Sequence, residues 1–256
     1  MAEFSLARRL SGGETVYSGW CGMASPLAAE TIAREGFGAV ALDMQHGLWD
    51  VASLIAGIGA LHHANAAAIV RVPLNDFAMV SRALDFGAEA IIAPMINNGS
   101  DARAFAAAAK YPPRGERSFG PQRAMALQGR KSVAGYLHEA NELTLTLAMI
   151  ETPSALNNVE EIAETDGIDA LFIGPYDLST ALSAGRSQDF TAPEVERAID
   201  EICNAASKAG KIPGIYCSDP KRARAMSQRG FRYIAVGSDL GLLRASAAGV
   251  LKALQG

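Results

Sequence analysis

Apolar positions follow two rhythms along this chain. Short runs dominated by Ala, Ile, Val and Leu alternate with longer Ala-rich stretches whose apolar residues recur every three or four positions. The short runs predict strands at 15–23, 39–44, 68–72, 90–96, 143–150, 170–174, 212–216 and 233–237. The longer stretches predict helices at 26–34, 51–63, 76–84, 101–110, 155–163, 193–208, 220–229 and 242–254. Ser25-Pro26, Asn75-Asp76, Ser100-Asp101 and Asp219-Pro220 pair a capping side chain with a proline or acid in the first turn, which marks helix starts. Gly36, Gly87, Gly210 and Gly230 supply the left-handed residue that closes a helix. Strands that alternate with helices favour a parallel sheet, and eight such units in 256 residues predict an α/β fold, a (β/α)8 TIM barrel, as one domain over 1–256. A doubly wound open sheet is the alternative, but no G-x-G-x-x-G follows the first strand. No linker or low-complexity segment divides the chain. The longest irregular stretch, 111–131, is rich in Pro and Arg and precedes a short helical piece at 132–141; loops of this length on a barrel commonly act as lids.

Composition narrows the partners. A net charge of −4 and a pI near 5.6 give no electrostatic reason to bind nucleic acid or an anionic membrane, so small molecules are the expected ligands. Arg8 and Arg9 are not followed by an apolar run of signal-peptide length, and no apolar stretch reaches bilayer-spanning length, which predicts a cytoplasmic protein. Cys21, Cys203 and Cys217 are odd in number and widely spaced, the pattern of buried thiols rather than of a disulfide framework or a thiolate metal site.

On a barrel, side chains at the C-terminal ends of the strands meet in one mouth, so the strand ends nominate the chemistry. Glu151 and Asp177 each stand where an apolar run stops, in Met149-Ile150-Glu151-Thr152 and in Gly174-Pro175-Tyr176-Asp177. If the two strands are neighbours, the carboxylates emerge side by side, which suits a hard divalent cation with positions left open for substrate. The competing reading makes Asp177 a helix N-cap and Glu151 a surface acid. His46 lies in a strand-end loop beside Gly47, where an imidazole can move a proton near neutral pH; His62, His63 and His138 fall in helical patterns that suit capping or surface roles. Arg71 ends a strand, where a guanidinium stabilises an enolate oxygen or is a rim charge. Asp85, late in a helical pattern, reads by itself as a surface acid. Every lysine falls on a helix or an outer loop, which argues against a Schiff-base mechanism.

Six separated segments strengthen this reading: Asp43-Met44-Gln45-His46, Arg71 with Pro73-Leu74-Asn75-Asp76, Ala93-Pro94-Met95, Tyr111-Pro112-Pro113-Arg114-Gly115-Glu116-Arg117, Ile150-Glu151-Thr152, and the run from Phe172 through Gly174-Pro175-Tyr176-Asp177 to Ser179. Together, and in this order, they resemble the class II pyruvate aldolases of the HpcH/HpaI family over nearly the whole chain. The resemblance implies reversible aldol cleavage of 4-hydroxy-2-oxo acids to pyruvate, or a close 2-oxo acid, and an aldehyde. It makes Glu151 and Asp177 ligands of a divalent cation, Mg²⁺ or Mn²⁺ ahead of Co²⁺ or Zn²⁺. Arg71 becomes the residue that holds pyruvate and its enolate, and His46 with Asp85 the proton-managing dyad. Gly174, Pro175, Tyr176 and Asp177 become the cradle of the pyruvate carboxylate, at a helix start. Trp20, Arg117, Arg123 and Tyr216 are candidates for the aldehyde side, with Arg114 as a further loop cation. A homo-oligomer, a hexamer in relatives, is implied, and the Ala-rich last helix is a candidate interface. Met149 and Gln45 depart from the glutamine and glutamate frequent in relatives, and Met149 removes a hydrogen bond near the metal. The alternatives are an acyl-CoA ester lyase of the related citrate/malyl-CoA lyase type and an inactive metal-binding scaffold.

Overall fold

The structure, a computed structural model, describes residues 6–255. Helix α1 (Leu6–Ser11) precedes β1 (Val16–Cys21), α2 (Pro26–Arg34), β2 (Ala39–Asp43), α3 (Val51–His63), β3 (Ala67–Arg71), α4 (Phe77–Phe86), β4 (Ala90–Ala93) and α5 (Gly99–Ala109). Helices α6 (Gln122–Leu127) and α7 (Val133–Leu143) follow, then β5 (Leu145–Ile150), α8 (Pro153–Asn157), α9 (Val159–Glu164), β6 (Ala170–Ile173) and α10 (Pro175–Leu182). The chain ends with α11 (Pro193–Lys208), β7 (Ile212–Cys217), α12 (Pro220–Gln228), β8 (Tyr233–Val236) and α13 (Asp239–Gln255). The strands pair in parallel in sequence order, and β8 closes on β1. The (β/α)8 barrel expected from the alternating pattern is therefore the fold.

All eight predicted strands are present, with ends moved by a few residues. The helices differ more. Asp76, not Asn75, caps α4, because Asn75 adopts a left-handed φ of 59°. Asn98, two residues before Ser100, caps α5. The helix expected at 155–163 is broken at Asn158, whose side-chain amide donates to the carbonyls of Asn97 and Ser154. The 111–131 stretch is not an open lid: Tyr111 and Arg117 are buried and α6 packs within it.

A two-residue alternation organises the barrel. Val16, Ala39, Ala41, Ala67, Ile69, Ala90, Ile92, Leu145, Leu147, Ala170, Phe172 and Tyr233 share the interior cluster. Their outward neighbours Val40, Leu42, Val70, Ile91, Leu171 and Ile173 pack against the helical ring. Small alanines on some strands accommodate Phe172 and Tyr233 from others, the interdigitation that fills a closed barrel. Leu6 and Leu10 of α1 belong to the interior cluster, and the Leu6 N–H donates to Glu89 just before β4, so α1 plugs the N-terminal end.

Helix α13 is the exception to this packing. Every residue from Leu240 to Gln255 is exposed, including Leu240, Leu242, Leu243, Val250, Leu251 and Leu254.

Candidate active site

The alternation that buries the core also sets the site. Inward positions continue upward from Ala39 and Ala41 to Asp43, from Ala67 and Ile69 to Arg71, from Leu147 and Met149 to Glu151, and from Phe172 to Gly174. In the β2–β3 register Asp43 faces Arg71. Arg71 Nε donates to Asp43 Oδ1 at 2.8 Å and Nη2 to Oδ2 at 2.6 Å, a bidentate pair with both side chains under a tenth exposed. Asp43 also accepts the backbone N–H of Gln45 at 3.0 Å, that of His46 at 3.4 Å, and Trp20 Nε1 at 3.4 Å. Burial pushes the Asp43 carboxyl up, but the Arg71 bond and charge and the two backbone donors outweigh it and leave the pKa lowered. One carboxylate thus orients the arginine and folds the loop that carries His46. Gly47 is required there, since a Cβ would meet the Asp43 carbonyl and the Gly22 backbone.

Met149 pairs with Phe172 across β5–β6, so two residues on Glu151 lies beside Gly174. A Cβ at Gly174 would collide with the Met149 methyl and with Glu151 Oε2. Glu151 is 2% exposed, and its Oε1 accepts the Met95 N–H at 2.9 Å, from a residue in the left-handed region at φ 56°. Its pKa is pushed to about 7: burial raises it, the Met95 N–H opposes this, the charge of Asp177 raises it, Arg71 opposes, and a hydrogen bond to Asp177 raises it further. Asp177 sits in the first turn of α10, whose N-cap is Gly174 and whose Pro175 lacks an N–H, so it does not cap the helix. Two carboxylates converge, one of them buried and shifted toward its protonated form by the other. This donor set fits a divalent cation that takes oxygen ligands and completes its shell with water and substrate. No cluster of three or more His, Cys, Asp or Glu exists among the described residues, so the remaining ligands would not be side chains of those types.

Above the pair lies a cavity of about 330 Å³ bordered by His46, Arg71, Asp177 and an aromatic wall of Trp20, Tyr176 and Tyr216. Trp20 stacks on Phe172 with ring centroids 6.1 Å apart, meets Tyr216 edge-on at 5.5 Å, and carries the Arg71 guanidinium 4.8 Å above its ring. Gly174, Pro175, Met149 and Asp239 complete the lining. No lysine lines it among the described residues; Lys110 is buried instead at the N-terminal end, on Asp169 and the carbonyls of Asn141 and Thr144.

Four nominated residues lie elsewhere in the chain. Asp85 does not border the cavity that His46 lines; its Oδ1 accepts Arg117 Nη2 at 2.5 Å, and Arg117 also stacks 4.5 Å over Tyr111. Arg123 donates to the Ile55 carbonyl, and Arg114 bridges Asp166 and Glu142. Asp43, Met95 and Asp239 carry structural weight that sequence reasoning gave them no role for. Asp43 and Met95 stand in quoted segments, and their inward phase or left-handed backbone is visible only once the register is known.

The HpcH/HpaI aldolase/citrate lyase profile matches residues 17–246. The chain is 39% identical to a hydroxypyruvate/pyruvate aldolase of Rhizorhabdus wittichii, over 93% of this chain and 94% of that one. It is 34% identical to a 4-hydroxy-2-oxo-heptane-1,7-dioate aldolase of Klebsiella pneumoniae, over 91% and 87%. The crystal structure of an HpcH/HpaI aldolase/citrate lyase family protein from Burkholderia cenocepacia superposes with a TM-score of 0.89 at 32% identity, covering 98% of this chain and 99% of that one. With its barrel, its strand-end carboxylates and its buried arginine, the chain belongs to the HpcH/HpaI aldolase family.

Proposed function

We propose that this protein is a metal-dependent carbon–carbon lyase that reversibly cleaves 4-hydroxy-2-oxo acids to pyruvate, or a close 2-oxo acid, and an aldehyde. The observation that carries the reading is the meeting of Glu151 and Asp177 at adjacent strand ends, beside an arginine locked by Asp43. Glu151 and Asp177 would hold the cation, and an oxygen donor set of this kind favours Mg²⁺ or Mn²⁺ over the nitrogen- and sulfur-preferring Zn²⁺. When bound, the cation polarises the keto group and takes up charge as the enolate forms.

The protein's own groups do the rest. Asp43 occupies Nε and Nη2 of Arg71, which leaves Nη1 for the oxygens of the 2-oxo acid and its enolate. Tyr176 and Asp177 N–H groups, at the second and third positions of α10, suit the carboxylate. His46, exposed at the mouth, takes the proton from the C4 hydroxyl in cleavage and returns one to C3. Trp20 and Phe172 shield the reacting carbons from water. No feature of the cavity favours the acyl-CoA lyase or the scaffold alternative.

The test is exchange of the pyruvate methyl protons for deuterium, followed by NMR. Exchange is expected with Mg²⁺ or Mn²⁺ and is lost with EDTA or in Glu151→Gln; exchange that persists without metal overturns the mechanism.

Two further features complete the reading. No helix among the described residues is long and apolar enough to cross a membrane, and three buried free thiols suit a reducing compartment such as the cytoplasm. The chain also self-associates, with a hexamer as the assembly implied by resemblance. Support comes from the unpacked α13 and from a groove of about 380 Å³ between α2 and α12, lined by Tyr17, Phe37, Ala223 and Val236, where the helix after β8 belongs in a closed barrel.

A further inference from the structure

Glu151 has one oxygen, Oε1, on the Met95 N–H at 2.9 Å and the other beside Gly174, so the direction in which its carboxylate points depends on where Met95 stands. Met95 does not stand there unaided. Its φ of 56° puts a long side chain in the left-handed region, a conformation that persists only where the surroundings over-determine it. Asn97 does so. Its Nδ2 donates to the Met95 carbonyl at 2.9 Å, and its Oδ1 accepts the hydroxyl of Thr152, the residue that follows Glu151.

Asn97 is itself held through its backbone. Its N–H donates to Asp101 Oδ2 at 2.9 Å, and its carbonyl accepts Asn158 Nδ2 at 2.9 Å. Thr152 Oγ1 also accepts the Ala155 N–H at 3.0 Å as the N-cap of α8. The bonds form one run, from Ala155 to Thr152, to Asn97, to Met95 and to Glu151. It joins the loops that follow the neighbouring strands β4 and β5, and it grips Glu151 at both its backbone flank and its tip. The amide oxygen of Asn97 meets a hydroxyl donor and its nitrogen meets a carbonyl, so the run accepts the amide in one orientation only. A leucine in its place offers neither group, and an aspartate sets an oxygen against the Met95 carbonyl. Neither Asn97 nor Thr152 borders the cavity.

We infer that Asn97, acting with Thr152, is a positioning residue for the cation: it sets the Met95 N–H that aims the Glu151 carboxylate, and it touches neither cation nor substrate. The inference rests on the reading of Glu151 as a metal ligand and deepens it. Partners that orient a ligating carboxylate typically contribute about 10–100-fold to metal affinity.

Calorimetric titration of Mn²⁺ into the purified protein, with no substrate present, tests it. Asn97→Ala removes the amide but keeps the backbone bonds to Asp101 and Asn158, and Mn²⁺ affinity is expected to fall by about tenfold or more. Thr152→Val deletes the hydroxyl at nearly constant volume and is expected to lower affinity too, whereas Thr152→Ser, which keeps the hydroxyl, is expected to retain the unaltered value. The double variant Asn97→Ala with Thr152→Val is expected to lose less than the two single losses combined, because both cut the same run. Urea unfolding of the same samples separates positioning from stability: a lower midpoint for Asn97→Ala with unchanged Mn²⁺ affinity overturns the inference. Should Asn97→Ala not fold, the Thr152 variants decide, and equal affinities for Val and Ser overturn it. Glu151→Gln separates the two readings. If it binds Mn²⁺ as tightly as the unaltered protein, Glu151 is not a ligand and both fall; if it loses the cation while Asn97→Ala keeps it, the positioning role alone falls.

Discussion

Asp43 shows how one buried carboxylate governs several groups. It fixes two nitrogens of Arg71, gathers the N–H groups that shape the His46 loop, and touches Trp20. Asp43→Asn keeps the shape and removes the charge, leaving a buried guanidinium with a weaker partner. Breaking such a pair costs about 3 kcal/mol, and a misplaced Arg71 lowers kcat/KM by about 10²-fold. Cation affinity, read by calorimetry, is expected to stay near that of the unaltered protein, because Glu151 and Asp177 are untouched. The sign of the pH dependence follows from the lowered Asp43 pKa. A carboxyl whose folded pKa lies below its unfolded value contributes stability that is fully present above the unfolded value and lost as pH falls through the folded one. Urea unfolding should therefore give the same gap between the two proteins at pH 7 and pH 5, with closure only below about pH 4. Closure between pH 7 and 5 would assign the gap to another group. At this scale the candidate residues Glu151, Asp177, Arg71 and His46 are legible in the sequence, because each stands at the end of an apolar run or within the few residues that follow it. Asp43 ends one too, but its meaning lies in the register that sets it opposite Arg71. Arg117 and Arg123 are illegible for the same reason in reverse, since their partners Asp85 and Ile55 lie on α4 and α3 rather than near them in the chain.

The element that most shapes the site is the junction of β6 with α10. Gly174 serves there as the N-cap, and its missing Cβ is the space into which Met149 and Glu151 reach. Gly174→Ala must push one or both aside, and Glu151 has little freedom while its other oxygen is held by Met95. Displacing a group that supports metal ligation typically costs 10–100-fold in affinity, so about a tenfold or larger loss of Mn²⁺ affinity is expected by calorimetry or EPR. Circular dichroism should be little changed, because α10 keeps Pro175 at its first position. Unchanged Mn²⁺ affinity would show that Glu151 does not bind the cation from this position. Among the elements, the strands and the long helices are legible because their apolar periods are long enough to read. Helices α1 and α6 are not, since one or two turns present too few apolar repeats, and the break at Asn158 depends on a bond to Asn97 that lies far away in sequence.

For the whole molecule, the closed barrel leaves an unmatched pair of surfaces among the described residues. The groove between α2 and α12 lacks a helix, and α13 lacks a groove. The direction of α13 is set where it begins. Asp239 ties the first turn to the Gly22 and Met23 N–H groups at the end of β1, and Ser238 caps the Gly241 N–H, so the helix leaves the rim instead of folding down over β8 and β1. Leu240, Leu243, Val250, Leu251 and Leu254 recur at the three- and four-residue spacing of one helical face. Fully burying each such side chain is worth about 1.5–3 kcal/mol, and in a single chain each stays more than half exposed. On the proposed self-association, a second copy would supply the missing surface by exchange, with each α13 in the partner's vacant groove or against its α13. Light scattering after size exclusion should therefore give a multiple of the 26.8 kDa chain mass. Leu243→Glu combined with Leu251→Glu should yield the single-chain mass with the barrel still folded by circular dichroism, because neither side chain touches the core. A monomeric unaltered protein, or a double variant that keeps the full assembly, would mean that α13 is not the contact.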